Sequence, residues 1–187
     1  GRAPRALTGL WWSRRPTVRC RPFGVGGRRL YANCAGMFLQ SRPQHGLVTP
    51  AEVRCIALAE LDLGPMSAVW DVGAGSGSVA IEAAQIAHGA TTYAIEMDAE
   101  DYLLISANAE RFGVKNLTPV LGKAPEAWAG LPTPDATFVG GTGPTIGRSV
   151  ELAFGQLGPG GRLGPNAGRH QNAAARPEVL APQRGGA

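Results

Sequence analysis

The sequence predicts an α/β fold, a parallel sheet with helices on both faces. Three observations carry that prediction. Short apolar runs alternate with helical periods from about residue 50 to residue 163. A glycine-rich turn, Gly73-Ala74-Gly75-Ser76-Gly77-Ser78, directly follows the run Val69-Trp70-Asp71-Val72, and an acid, Glu96, closes the next run. Glycines there permit the tight reversal and close backbone approach that joins a buried strand to the helix after it.

The elements follow in order. Thr49-Pro50-Ala51-Glu52 has the form of a capping box, with Thr49 as the cap, Pro50 at the first helical position and Glu52 returning a bond to the cap. The helix after it, about 50–62, sets Val53, Ile56, Ala57 and Leu61 on one face. Gly64-Pro65 separates it from a strand at 68–72. Beyond the glycine turn, a helix at about 77–88 carries Val79, Ile81, Ala84 and Ile86, and residues 91–96 form a second strand. A third helix at 99–112 is stopped by Gly113. Strands at 117–121 and 136–139 come next, then a helix at about 144–157, then Gly158-Pro159-Gly160-Gly161 and the start of a fifth strand at Arg162-Leu163. In such a sheet ligands bind beyond the carboxyl ends of the strands, where the strand order reverses. Four loops are expected to converge there: the turn at 73–78, Glu96-Met97, Gly122-Lys123-Ala124-Pro125 and Gly140-Gly141-Thr142-Gly143.

The chemistry of this crevice points to a nucleoside cofactor. A dinucleotide site presents a helix N-terminus to a pyrophosphate, and its glycines follow G-x-G-x-x-G. Here the spacing is G-x-G-x-G, and Asp71 sits two residues before the first glycine. A carboxylate there repels a pyrophosphate but attracts an ammonium group. S-Adenosylmethionine carries an ammonium and a sulfonium and no phosphate, and Glu96 is placed to grip its ribose diol. Each acid taken alone is equally a buried or surface carboxylate of an ordinary α/β protein; the spacing of the pair is what points to a site.

Charge is sharply partitioned along the chain. Residues 1–45 hold nine arginines and no acid or lysine, residues 46–161 hold five basic and thirteen acidic residues, and residues 162–187 hold four arginines and Glu178. The excess positive charge therefore lies in the flanks, and the segment with the cofactor signature is acidic, which disfavours a nucleic-acid partner. The first 45 residues, rich in Arg, Gly and Pro, read as a mostly irregular extension, and residues 164–187 as a disordered tail. No segment reaches the length of an apolar membrane span, so no membrane partner is expected and the default location is cytoplasmic. Cys20, Cys34 and Cys55 form no C-x-x-C pair and indicate neither a zinc site nor a disulfide framework, and no metal site is expected. His45 and His88 read as incidental polar residues rather than bases.

Residues 46–163 resemble the decarboxylating precorrin methyltransferases of cobalamin biosynthesis, within the Rossmann-like class I S-adenosylmethionine-dependent methyltransferases. The resemblance rests on Gly46-Leu47-Val48-Thr49-Pro50-Ala51-Glu52-Val53-Arg54, Trp70-Asp71-Val72-Gly73-Ala74-Gly75-Ser76-Gly77-Ser78, Ala94-Ile95-Glu96, Gly122-Lys123-Ala124-Pro125-Glu126, Pro134-Asp135-Ala136-Thr137-Phe138-Val139-Gly140-Gly141 and Leu157-Gly158-Pro159-Gly160-Gly161-Arg162. The glycine loop alone reaches only the superfamily. The T-x-x-E-V-R, G-x-A-P-E and G-G-x-G motifs are narrower, and they occur in the family's order.

The resemblance implies a C-methyltransferase that methylates carbon 15 of a precorrin and decarboxylates the acetate on carbon 12, with a fused or separate partner acting at carbon 5. By the family pattern Thr49 and the loop 73–77 contact the cofactor, Glu96 holds the ribose hydroxyls and Ala124 lies against the adenine. Met97 and Gly122 fall in the same converging loops. No catalytic residue is assigned, because precorrin carbons are enamine-like and already nucleophilic. The family also implies a homo-oligomer, often a tetramer. Enzymes that methylate exocyclic amines of nucleic-acid bases carry a polar residue, two prolines and an aromatic after the fourth strand. Gly140-Gly141-Thr142-Gly143 has none of that clamp, so an RNA or protein methyltransferase, or a non-catalytic cofactor-binding remnant, is the alternative. Family members continue into further strands that complete a seven-stranded sheet. Here the similarity gives way to Gly164-Pro165-Asn166, so the last strands are expected to be missing. A shifted reading frame or truncated gene model would account for both flanks, and mass analysis of the native protein is its test.

Overall fold

Residues 29–41, 48–141 and 146–165 are described by a computed structural model of the chain. Five strands, β1 (Val69–Val72), β2 (Thr92–Glu96), β3 (Leu117–Leu121), β4 (Ala136–Val139) and β5 (Arg162–Pro165), pair in parallel in the order β3-β2-β1-β4-β5. Four helices accompany them: α1 (Ala51–Glu60), α2 (Ser78–Ile86), α3 (Ala99–Phe112) and α4 (Ile146–Phe154). The chain walks outward from β1 to β3 and returns to the other side of β1 with β4, so the switch point lies between β1 and β4. Asp71 pairs in register with Ala94 of β2 on one side and Phe138 of β4 on the other.

Both faces of the sheet are covered, which is why the central strands read as apolar runs without alternation. On one face Val69, Ala136 and Phe138 pack against Ala57, Leu58 and Leu61 of the α1 region and Val79 and Ala83 of α2. On the other, Trp70, Val72, Ile95 and Val139 pack against Trp128 and Ala153. The Trp70 and Trp128 rings stack with centroids 5.7 Å apart. Burial of these side chains removes apolar area from water at about 25 cal/mol per Å² and is the main stabilising term of the domain. Among the described residues the sheet stops at β5, so the final strands of a seven-stranded sheet are not among them.

The third helix stops at Gly113 as its sequence predicts, and its start has a side-chain cap. Asp98 caps α3 by accepting from the amides of Glu100 and Asp101, and Gly113 stops it at φ 70°. The start of α1 differs from expectation. Pro50 sits at φ −52°, ψ 145°, outside the helical region, so it occupies the cap position and no side chain caps the helix. The capping box does not form, because the Thr49 hydroxyl stands one residue too early to reach the orphan amides.

The buried face of α1 is also rotated from the expected one. Arg54, Ala57, Leu58 and Leu61 are buried at the helical spacing, whereas Val53 is 36% and Ile56 65% exposed. The cause is an internal ion pair: Arg54 Nε lies 3.1 Å from Glu82 Oε2 on α2, and both side chains are fully buried. Apolar count alone could not place a guanidinium inward.

Part of the irregular N-terminal extension is packed onto the domain. Phe38 stacks on Phe112 of α3 with centroids 4.6 Å apart, and Asn33 is buried against Glu82. Cys55 carries a free thiol, but Cys34 is disulfide-bonded, contrary to the expectation of no disulfide. Among the described residues no helix is long and apolar enough to cross a membrane.

Candidate functional site

The carboxyl ends of β1, β2 and β4 meet around the glycine loop. Gly73, Gly75 and Gly77 all take positive φ, at 73°, 54° and 83°, a conformation that costs an L-residue about 1–2 kcal/mol. The amides of Gly73 and Ala74 both donate to the Ile95 carbonyl at the end of β2, at 2.9 and 3.1 Å. Glycine at 73 and at 140 is required by close approach as well. A Cβ on Gly140 would lie 2.6 Å from the Gly73 carbonyl oxygen, and one on Gly73 would lie 3.1 Å from that of Gly140. These two glycines let β1 and β4 run together at the switch point. A Cβ on Gly75, by contrast, would meet nothing within 4 Å, so the loop opens onto free space there.

Glu96 knits the site together. Its Oε2 accepts from the Gly75 amide at 2.7 Å, and its Oε1 accepts from the Met97 and Asp98 amides at 2.8 and 2.9 Å. Its own carbonyl accepts from the Gly122 amide at 2.9 Å, which brings the loop after β3 alongside. The carboxylate has about four lone-pair sites, so three N–H donors leave it one further acceptor position. Met97 is 68% exposed beside it.

Asp71 lies deeper. Its Oδ2 accepts from the Ala80 amide at 2.8 Å in the first turn of α2, and its Oδ1 has no hydrogen-bond partner among the described residues. Desolvation raises its pKa from 3.8 to about 7; the Ala80 bond opposes this, and the nearby negative charge of Glu96 adds to it. Asp71 thus stands inside the protein beneath the loop and steadies the start of α2.

The remaining expected residues fall into two groups. Ser76 and Ala74 lie within the loop, whereas Ala124 packs against the apolar cluster around Trp70 and Trp128. Thr49 is half-buried, and its carbonyl accepts from Nη1 of Arg54 on α1, the residue that pairs with Glu82 of α2. Thr142 and Gly143 lie outside the described residues. His88 is exposed, with its Nδ1 3.2 Å from the Ile86 carbonyl, away from the crevice. Among the described residues no cluster of three or more His, Cys, Asp or Glu side chains is arranged to hold a metal ion.

Residues that the sequence reading did not single out complete the surroundings. Arg54 and Glu82 form the buried pair, and Asn108 of α3 donates from Nδ2 to the Ser76 carbonyl at 2.9 Å. Glu82 had a visible signal: it is the one charged residue in the otherwise apolar run Val79-Ala80-Ile81-Glu82-Ala83-Ala84. Its partner had a weaker one, an Arg in register with the apolar face of α1.

A parallel sheet of order β3-β2-β1-β4-β5, with a glycine loop after β1 and an acid closing β2, is a Rossmann-like arrangement, and its likeness to solved methyltransferases makes it a class I methyltransferase fold. A family model described as precorrin methyltransferase domain matches residues 42–181, and the chain belongs to that family. A precorrin-6Y C(5,15)-methyltransferase (decarboxylating) of a Sinorhizobium species is 40% identical over 141 residues, covering 75% of this chain and 34% of the relative. A probable cobalt-precorrin-6B C(15)-methyltransferase (decarboxylating) of Pyrobaculum calidifontis is 43% identical over 115 residues, covering 60% of this chain and 59% of the relative. The chain therefore spans about a third of the first and three-fifths of the second.

Solved structures agree. The precorrin-6Y C5,15-methyltransferase of Geobacter metallireducens superposes with a TM-score of 0.66 at 30% identity, covering 72% of this chain and 70% of that one. An RNA methyltransferase of Salinibacter ruber, solved with S-adenosyl-L-homocysteine, superposes with a TM-score of 0.54 at 27% identity, covering 63% of this chain and 75% of that one.

Proposed function

We propose that this chain carries an S-adenosylmethionine-dependent C-methyltransferase site for a precorrin, methylating carbon 15 and decarboxylating the carbon 12 acetate, whose carboxylate leaves as carbon dioxide while the remaining carbon takes up a proton and stays as a methyl group. The observation that carries the reading is Glu96, whose carboxylate joins the glycine loop to the turn after β2 in a chain of the precorrin methyltransferase family. The residues present suit the cofactor. Gly75 faces open space, and the Glu96 carboxylate keeps an acceptor position for a ribose hydroxyl and disfavours a pyrophosphate beside it. S-Adenosylmethionine, when bound, supplies a methyl group on an electrophilic sulfonium.

In this reading Thr49, Asp71, Gly73, Ala74, Gly75, Ser76, Gly77, Glu96, Met97, Gly122 and Ala124 surround the cofactor, directly or one layer behind. The protein's own task is orientation: an in-line displacement needs the acceptor carbon held in alignment, and positioning of this kind accounts for much of the achievable acceleration. Gly73 and Gly140 contribute by admitting two strand ends into van der Waals contact, which fixes the floor of the crevice. Asp71 contributes by holding the first turn of α2. The methyltransferase domain is taken as residues 46–163, and a cytoplasmic homo-oligomer goes with the same family reading.

The test is incubation of the chain with the family's precorrin substrate and methyl-labelled S-adenosylmethionine. The expected product carries one label in the macrocycle and is formed with one carbon dioxide. Binding of S-adenosylhomocysteine without label transfer would replace this reading by that of a non-catalytic cofactor-binding remnant.

A further inference from the structure

Two buried polar clamps fasten residues 33–41 and Thr49 onto the elements that carry the glycine loop. The first is built on Arg54. Its guanidinium is fully buried, pairs with Glu82 of α2, and donates to the carbonyls of Thr49 and Asn33. Glu82 closes the circuit by accepting from the Asn33 amide at 2.8 Å and from Asn33 Nδ2 at 3.1 Å. The same guanidinium lies 5.0 Å over the Phe38 ring, which stacks on Phe112. Charge-assisted bonds in a dry setting of this kind are strong and geometrically exacting.

The second clamp is Asn108, whose whole amide is used. Its Oδ1 accepts from the Leu39 amide at 2.7 Å, and its Nδ2 donates to the Leu39 and Ser76 carbonyls, each at 2.9 Å. One side chain therefore bridges the N-terminal segment and the glycine loop. The loop is held at three successive residues: Gly75 by Glu96, Ser76 by Asn108, and Gly77 by Ile105, whose side chain lies 3.2 Å from where a Cβ would stand. Ile105 and Asn108 are three residues apart on α3 and so face the loop together.

We propose that Arg54 and Asn108 are positioning residues of the nucleoside site, which couple docking of residues 33–41 and Thr49 to the shape of the glycine loop and so to cofactor binding. The proposal rests on the cofactor reading above and assigns a role to the Arg of the T-x-x-E-V-R motif. If the docked segment favours the binding-competent loop, ligand on the loop must favour the docked segment by the same factor.

Asn116 supplies the control. Its Nδ2 lies 3.0, 2.9 and 2.8 Å from the carbonyls of Ala84, Ala87 and Ala90, which share its two N–H groups at the end of α2 remote from the loop. Its loss, like that of Asn108, frees several main-chain groups from a side-chain amide, but none that touches the site.

The experiment is hydrogen exchange on the full chain with and without saturating S-adenosylhomocysteine, following the Asn33 and Leu39 amides, together with affinities of the variants. The ligand is expected to slow exchange at both amides. Asn108→Ala is expected to weaken binding about tenfold and to abolish the slowing at Leu39. Arg54→Lys, which keeps a cation opposite Glu82 but lacks the fork that reaches two carbonyls, should also weaken binding. Asn116→Ala should leave affinity unchanged. Ligand binding to the unsubstituted chain with no change at Asn33 and Leu39 would overturn the coupling and leave the cofactor reading intact. Equal losses of affinity in Asn108→Ala and Asn116→Ala would overturn it too, since general destabilisation would then suffice. Failure of the unsubstituted chain to bind would remove the cofactor reading and the coupling together.

Discussion

Asp71→Asn isolates the cost of burying a carboxylate beneath the glycine loop. In the folded protein the Asp71 pKa stands at about 7 against 3.8, chiefly because burial desolvates the charged form. The folded state therefore binds this proton more tightly than the unfolded state, and stability falls as pH rises from about 4 to about 7, levelling off above. Between pH 5 and pH 8.5 the two titration curves differ by about two pH units of integrated proton binding. At about 1.4 kcal/mol each, that is a loss of about 2–3 kcal/mol. Asn has no such titration, so the stability difference between the two proteins should move in favour of Asn by that amount across the interval. At pH 5 the substitution should be neutral or cost about 1 kcal/mol, because its amide places a donor where Oδ1 has no partner. Urea unfolding of both proteins at the two pH values measures the shift. Parallel pH profiles would refute the assignment of a desolvated Asp71 with a raised pKa.

Steric and ionic perturbations probe the rest of the frame. Gly140→Ala forces a methyl to within 2.6 Å of backbone that cannot swing aside and should cost about 1–3 kcal/mol in thermal unfolding, whereas Gly147→Ala, in open space on α4, should gain up to about 1 kcal/mol. Glu82→Ala strands the buried Arg54 and should cost about 3–5 kcal/mol in urea, with Arg54→Met/Glu82→Leu recovering much of it. Equal stability of the single and double variants would show that the pair is not what holds the two helices.

The sheet and the glycine loop were legible because their signals are local. Gly113 stops α3 where a left-handed residue is needed, and the runs at 117–121 and 136–139 sit between turn residues that leave them little choice of bounds. The approach of the loops after β1, β2 and β3, with Gly140 after β4, followed from the parallel order alone. What was not legible depends on residues far apart in sequence. The inward turn of Arg54 depends on Glu82, twenty-eight positions on, and the exposed flank of α1 at Val53 and Ile56 follows from that one pairing. Thr49 fits a capping box in sequence, but Pro50 holds an extended ψ and moves the helix start past it. Asn33 and Phe38 lie in a stretch without period, and only their partners Glu82 and Phe112 give them a place.

The central claim is that the crevice between β1, β2 and β4 takes an S-adenosyl ligand and not a dinucleotide. Isothermal titration of the chain with S-adenosylhomocysteine and, separately, with NAD tests it directly. Saturable binding of S-adenosylhomocysteine at one site per chain, lost in Glu96→Ala and absent for NAD, is the predicted result. Binding of NAD in its place, or binding of S-adenosylhomocysteine that survives Glu96→Ala unchanged, would contradict it.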